Sequence, residues 1–146
     1  MKNKFNTIFF IILWFFNTAL AESEKSLLTV KVSGAIPNKG QVIFSIFTSP
    51  EDYLKRPLIS NIKPVNKDGE VIFILENLKY GKYAISVIYD EDNDGKLNTN
   101  FLGIPTEHVG SSNNVKGSFG PPSFSDTAFI FNKSNELHIT LNKVTD

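Results

Sequence analysis

The densest chemistry in the chain lies in Asp90-Glu91-Asp92-Asn93-Asp94-Gly95-Lys96-Leu97, where carboxylates occupy alternate positions ahead of a glycine. With Asp90 as position 1, side-chain oxygens fall at 1, 3 and 5, a glycine at 6 and an apolar residue at 8, which is the front half of a Ca2+ loop. A hard Ca2+ ion takes six to eight oxygens at about 2.3–2.6 Å, and alternate side chains of a coiled loop converge on one point. Gly95 permits the sharp turn, the backbone carbonyl of Lys96 adds an oxygen at position 7, and Leu97 anchors the loop to the core. The back half departs from this pattern. Position 12 is Phe101, where an EF-hand places a bidentate Glu, and no paired helical patterns flank the loop. Asn98, Asn100 or the more distant Glu107 is left to complete the shell, and spacing does not choose among them. A plain hairpin turn and a solvated acidic tip are the simpler readings, since Asp, Asn and Gly all favour turns. Against both, four carboxylates within five residues repel one another unless a cation neutralises them. Ca2+ fits better than Mg2+, which takes fewer protein ligands in a strict octahedron.

Other chemistry is sparse. Glu107-His108 invites an acid–base reading, but adjacent residues of an extended segment point opposite ways. His138 alternates with Leu137 and Ile139 and should face water. No serine sits in a nucleophile elbow and no glycine-rich phosphate cradle is present. Nothing in the sequence points to catalysis; a hydrolase using Glu107 or His108 would need a concave pocket where they meet another polar group. The absence of cysteine excludes a disulfide scaffold, a thiolate zinc site, a Cys nucleophile and a lipid-modified lipoprotein N-terminus. Arg56 is the only arginine and no basic stripe exists, so the footprint of nucleic-acid binding is missing.

The elements that must position the acidic loop follow an address. Lys2 and Lys4 precede the apolar run Ile8–Phe16, and Ala19-Leu20-Ala21 ends it in a small-x-small pattern. This order predicts a signal peptide over residues 1–21, cleaved after Ala21, since a spanning helix needs about 20 apolar residues. An exported protein, periplasmic or secreted, with no stable membrane span after cleavage is expected, facing an unspecified envelope or extracellular partner. With Lys2 and Lys4 removed from the 15 basic residues, the 15 acidic ones leave a net charge of about −2.

After a polar lead-in at residues 22–26, period-two patterns dominate residues 27–143. Leu28, Val30 and Val32 alternate with polar neighbours, as do Val42, Phe44 and Ile46 within Gln41–Thr48. Ser49-Pro50-Glu51-Asp52 reads as the start of a short helix ending near Arg56-Pro57. An apolar run, Val71–Leu75, follows the turn Lys67-Asp68-Gly69, and Tyr83–Tyr89 alternates again. Ala128–Phe131 and Leu137–Leu141 are expected to pair around Asn132–Asn135. The 13 phenylalanines supply a core that disulfides cannot reinforce. The expected fold is mostly β: a single antiparallel sandwich, immunoglobulin-like or prealbumin-like, with one long acidic, Gly- and Pro-containing loop. Residues 90–126 have little strand character, and loops that long are usually functional. One reading makes Phe101–Phe124 a recognition surface for a small ligand or envelope partner without metal; another makes it a cover over one end of the sandwich.

Gly81, Tyr83 and Ala84, then Asp90 through Leu97, then Phe101, Gly103, Pro105, Glu107, Gly110, Ser112 and Asn113, and finally Pro122, Phe124 and Ala128 form a combined pattern. It resembles an uncharacterised family of exported bacterial proteins, domain of unknown function 2141. The resemblance implies a small exported β-sandwich with no established activity. Asn98 stands where that family often has Asp, and Ser111 where an aromatic is common, which lowers the expected ion affinity and argues against an aromatic contact there.

Overall fold

The computed structural model describes residues 26–117 and 120–144. The expected leader, residues 1–21, and most of the polar lead-in lie outside these residues. Among the described residues nine strands run in chain order: β1 (Leu27–Ser33), β2 (Gln41–Phe47), β3 (Ile59–Pro64), β4 (Glu70–Glu76), β5 (Gly81–Asp90), β6 (His108–Ser111), β7 (Phe129–Phe131), β8 (Asn135–Thr140) and β9 (Asn142–Lys143). One sheet has the order β4-β1-β8. The other has the order β3-β2-β5-β6-β9, with β7 added along β5. The fold is therefore mostly β, in two separate sheets.

Alternation determines which side of each strand is apolar, and burial follows it. On β1, Leu28, Val30 and Val32 are buried; on β2, Val42, Phe44 and Ile46; on β5, Tyr83, Ile85, Val87 and Tyr89. These residues of both sheets join one cluster, with Phe44 and Phe73 stacked across it at 4.8 Å between centroids. Each fully buried side chain of this size contributes about 1.5–3 kcal/mol relative to exposure. The opposite face of β5 carries Ala84, which packs in a second cluster with Phe47, Tyr53 and Phe124. Phe124 reaches it from a short helix, α1 (Phe124–Thr127), whose capping box joins Ser123 and Asp126.

Three expectations are corrected. The sheets are not wholly antiparallel, because β8 runs parallel to β1. For the same reason β7 and β8 do not form a hairpin: β7 pairs with the start of β5, and the chain then crosses to the other sheet. Burial favours this split, since Phe131 and Ile139 each reach the common core from their own sheet. The segment after Ser49 makes hydrogen-bonded turns instead of a helix. Arg56 N–H reaches the Asp52 carbonyl at 2.8 Å, but Leu54 takes φ 59° and breaks the helical run. The apolar run Val71–Leu75 forms part of edge strand β4 and alternates like the others, with Ile72 and Ile74 on its outer face.

Strand β5 carries β2 along one edge and shares its other edge between β7, at Gly81–Tyr83, and β6, at Ser86–Ile88. The gap in that second ladder would leave the amide of Ile85 unpaired, and the hydroxyl of Ser112 accepts it at 2.9 Å. Ser112 in turn donates to the Thr127 carbonyl, so one buried hydroxyl joins β5 to the end of α1. Asn113 and Asn114 act similarly. Asn113 donates to the carbonyls of Asp126 and Ala128, while Asn114 donates to the His138 carbonyl and accepts from the Thr140 amide. The Ser112–Asn114 segment is thus a structural staple.

Where β6 crosses close to β8, Gly110 leaves no room for a side chain. A Cβ there would lie 2.7 Å from Ile139 Cγ2 and 3.0 Å from Val87 Cγ2. Gly110→Ala is therefore expected to lower stability by about 1–3 kcal/mol through overpacking, measured by urea denaturation.

Candidate metal site

Asp90 is the last residue of β5 and Glu107 immediately precedes β6. The β5–β6 register pairs Ile88 with Val109, and carried two residues further it sets Asp90 opposite Glu107 at the neck of a long hairpin. The acidic loop is the insertion this hairpin closes. Both neck carboxylates are buried, Asp90 fully and Glu107 to 8 % exposure.

The loop winds around these two side chains. Asp90 Oδ1 accepts the Asp94 amide at 3.1 Å, and Oδ2 accepts the Gly95 amide at 2.9 Å and Gln41 Nε2 at 2.7 Å. Glu107 Oε1 accepts the Glu91 amide at 3.1 Å and Oε2 the Asn98 amide at 2.9 Å, tying the two ends of the acidic segment together. Burial pushes the Asp90 carboxyl upward, but hydrogen bonds from Gln41 and from the amides of Gly95, Asp94 and Asn93 outweigh it and hold its pKa below the ordinary value. Asp90 is thereby kept ionised while buried. Lys39 pairs with Glu91 at the rim, and no ion pair found among the described residues reaches Asp90, Asp92 or Glu107.

One carboxylate oxygen from each of Asp90, Asp92 and Glu107 lies within 4.8 Å of the others. Two like charges at that distance repel by about 3 kcal/mol at an effective dielectric near 20. A carboxylate oxygen has two lone pairs, so the neck residues retain acceptor capacity beyond their amide bonds. The group is a buried acidic cluster that could hold a metal ion.

The remaining candidates fall into two sets. Asp94 is exposed and stands outside the three-residue group, its Oδ1 accepting the Lys96 amide at 2.8 Å. Lys96 closes the Asp94 turn through its amide and is exposed. Asn98 adjoins the group, donating from Nδ2 to Asp92 Oδ2 at 3.0 Å. Asn100 is used elsewhere. Its Oδ1 accepts the amides of Leu102 at 2.9 Å and Ile104 at 3.0 Å and so builds the next turn. The histidines have separate surroundings: His108 lies beside the Tyr89 ring and His138 pairs with Glu136 on the surface. An open cleft of 440 Å³ between β3 and β4 is lined by Phe44, Ile59, Phe73 and Leu78, and neither Glu107 nor His108 borders it.

Fold and site together define a class: a two-sheet β protein whose longest hairpin closes an acidic, metal-type loop on a buried glutamate. The chain belongs to the family described as an uncharacterized protein conserved in bacteria (DUF2141), which it matches over residues 30–139. No curated protein and no solved structure matches it.

Proposed function

We propose that this is an exported, non-catalytic β-sandwich, prealbumin-like in arrangement, whose acidic loop binds Ca2+ and is stiffened by it. The observation that carries this reading is the convergence of Asp90, Asp92 and Glu107, with no ion pair to any of them among the described residues. Oxygens bound to one Ca2+ at about 2.3–2.6 Å stand at most about 5 Å apart, whereas about 2.0–2.1 Å for Mg2+ limits them to about 4 Å. Oxygens that all lie within 4.8 Å of one another fall inside the Ca2+ limit. Asp94, the Lys96 carbonyl and Asn98 lie on the same loop and would extend the shell only by turning toward the group, Asn98 exchanging the Nδ2 it now directs at Asp92 for its oxygen.

An affinity on the order of 10⁻⁴–10⁻³ M suits an extracytoplasmic module. Binding only the folded state then adds about 1.4 kcal/mol at tenfold Kd, or about 5 °C in melting temperature. Asp92 is exposed and touches only its own loop, so Asp92→Ala separates ion binding from folding. In scanning calorimetry, millimolar Ca2+ should raise the melting temperature of the parent chain above that in chelator and leave Asp92→Ala unmoved. An unchanged midpoint in the parent chain would refute the proposal.

The rival reading, a recognition surface from Phe101 to Phe124, retains support only in its first part. Ser112–Asn114 hold neighbouring strands and Phe124 fills the second cluster. Phe101 and Leu102, by contrast, face outward.

A further inference from the structure

Beyond the acidic loop the chain makes a second, smaller hairpin before returning to Glu107. Thr99 bridges to Pro105, the Asn100 amide donates to the Ile104 carbonyl at 2.8 Å, and the Gly103 amide donates to the Asn100 carbonyl at 2.9 Å. Asn100 Oδ1 fixes the amides of Leu102 and Ile104 from inside the turn. At its base, Thr106 bonds the Asn98 carbonyl through both its amide and its hydroxyl. A turn so fully bonded is a constructed projection. At its apex stand Phe101, 94 % exposed, and Leu102, 66 % exposed.

We propose that this tip enters the interface of a phospholipid bilayer when the adjoining acidic loop holds Ca2+. This partner rests on the Ca2+ reading of the same site. Three observations favour a bilayer over a protein pocket. The apex offers two adjacent, exposed large apolar groups at the turn of a hairpin, which suits a deformable apolar medium. From Asn98 to Thr106 the hairpin carries no charged residue, so its insertion desolvates no ion. The charges begin at its base, where Asp92 and Glu107 meet Asn98. Without a cation this base is anionic and is repelled by acidic headgroups. With Ca2+ bound the charge of the three carboxylates falls from −3 to −1, which weakens the repulsion, and the ion can share a headgroup phosphate oxygen. Cation binding and apolar insertion would then reinforce one another.

The test is sedimentation of the chain, expressed with its own leader and purified as the cell delivers it, with vesicles of phosphatidylcholine and phosphatidylserine in Ca2+ or in chelator. The parent chain should sediment in Ca2+ and stay in solution in chelator. Phe101→Ser with Leu102→Ser should weaken vesicle binding by about a hundredfold, the scale for removing two large buried apolar groups. In calorimetry without lipid, that variant should take up Ca2+ as the parent does. Phe101→Trp should show emission that shifts to the blue on adding vesicles with Ca2+ and stays put on adding vesicles with chelator, which also checks that the tip itself inserts. Ca2+ uptake with no vesicle binding would overturn the tip proposal and spare the metal site. No Ca2+ uptake would overturn both. Vesicle binding that survives the double substitution, or a tip that only associates chains with one another, would overturn the proposal.

Discussion

Asp90→Asn is expected to lose about 3 kcal/mol of stability at neutral pH, the scale for breaking a buried, charge-assisted network. Three donors, Gln41 Nε2 and the amides of Asp94 and Gly95, converge on the carboxylate, and an amide side chain must turn its own NH2 toward one of them. An opposing effect exists, since the substitution also removes one of three crowded negative charges. The hydrogen bonds should win, because they already hold the Asp90 pKa below its ordinary value despite its burial. The sign of the pH dependence follows. A depressed folded-state pKa gives stability that is present above the unfolded-state value and lost as pH falls through the folded-state one. Urea denaturation at neutral pH and in acid below the ordinary carboxylate range should therefore show parent and variant far apart at the first and progressively closer as the pH falls. A variant more stable than the parent at neutral pH without added metal would mean that repulsion outweighs the amide cradle.

Gly40→Ala should be comparably damaging, by about 2–4 kcal/mol, although it lies on a different turn from the acidic loop. Gly40 has φ +70°, and a Cβ there would sit 2.5 Å from the Asp90 carbonyl oxygen and 2.9 Å from Glu91 Cα. Both are backbone atoms, so no side-chain rotation relieves the contact. The neighbouring Lys39 contributes its carbonyl to the Tyr89 hydroxyl and its ammonium to Glu91, so the turn braces the end of β5 from outside. Displacing it moves Asp90, and the variant should lose the Ca2+-dependent rise in melting temperature as well as basal stability. Thermal denaturation with and without Ca2+ reads both effects. A full Ca2+ response in a destabilised variant would show that the site tolerates movement of this turn.

Local patterns carried much of the architecture. Leu28, Val30 and Val32, Val42, Phe44 and Ile46, and Tyr83 through Tyr89 show their buried faces by alternation alone, because a strand's side chains repeat every two residues. The turn chemistry of Asp90–Gly95 was equally legible, since Asp and Asn side chains bond the amides two to five residues on. The short strands β3 and β6 were not. The inner face of β3 lacks an apolar alternation, with Asn61 and Lys63 on it, and β6 is a four-residue strand containing Gly110.

The sequence by itself determined that carboxylates at alternate positions would curl around a glycine, and that an uncharged stretch with two large apolar residues would follow. Only the tertiary structure decided which distant group joins them. Asn98, Asn100 and Glu107 are equivalent by spacing, but the β5–β6 register sets Glu107 opposite Asp90, while Asn100 is used by its own turn. Parallel pairing of β8 with β1 was likewise beyond local reading, because alternation specifies a strand's faces and is silent about its neighbours and their direction. Spacing along a chain fixes what a segment can do alone; contacts between residues far apart in sequence depend on how strands register across the core.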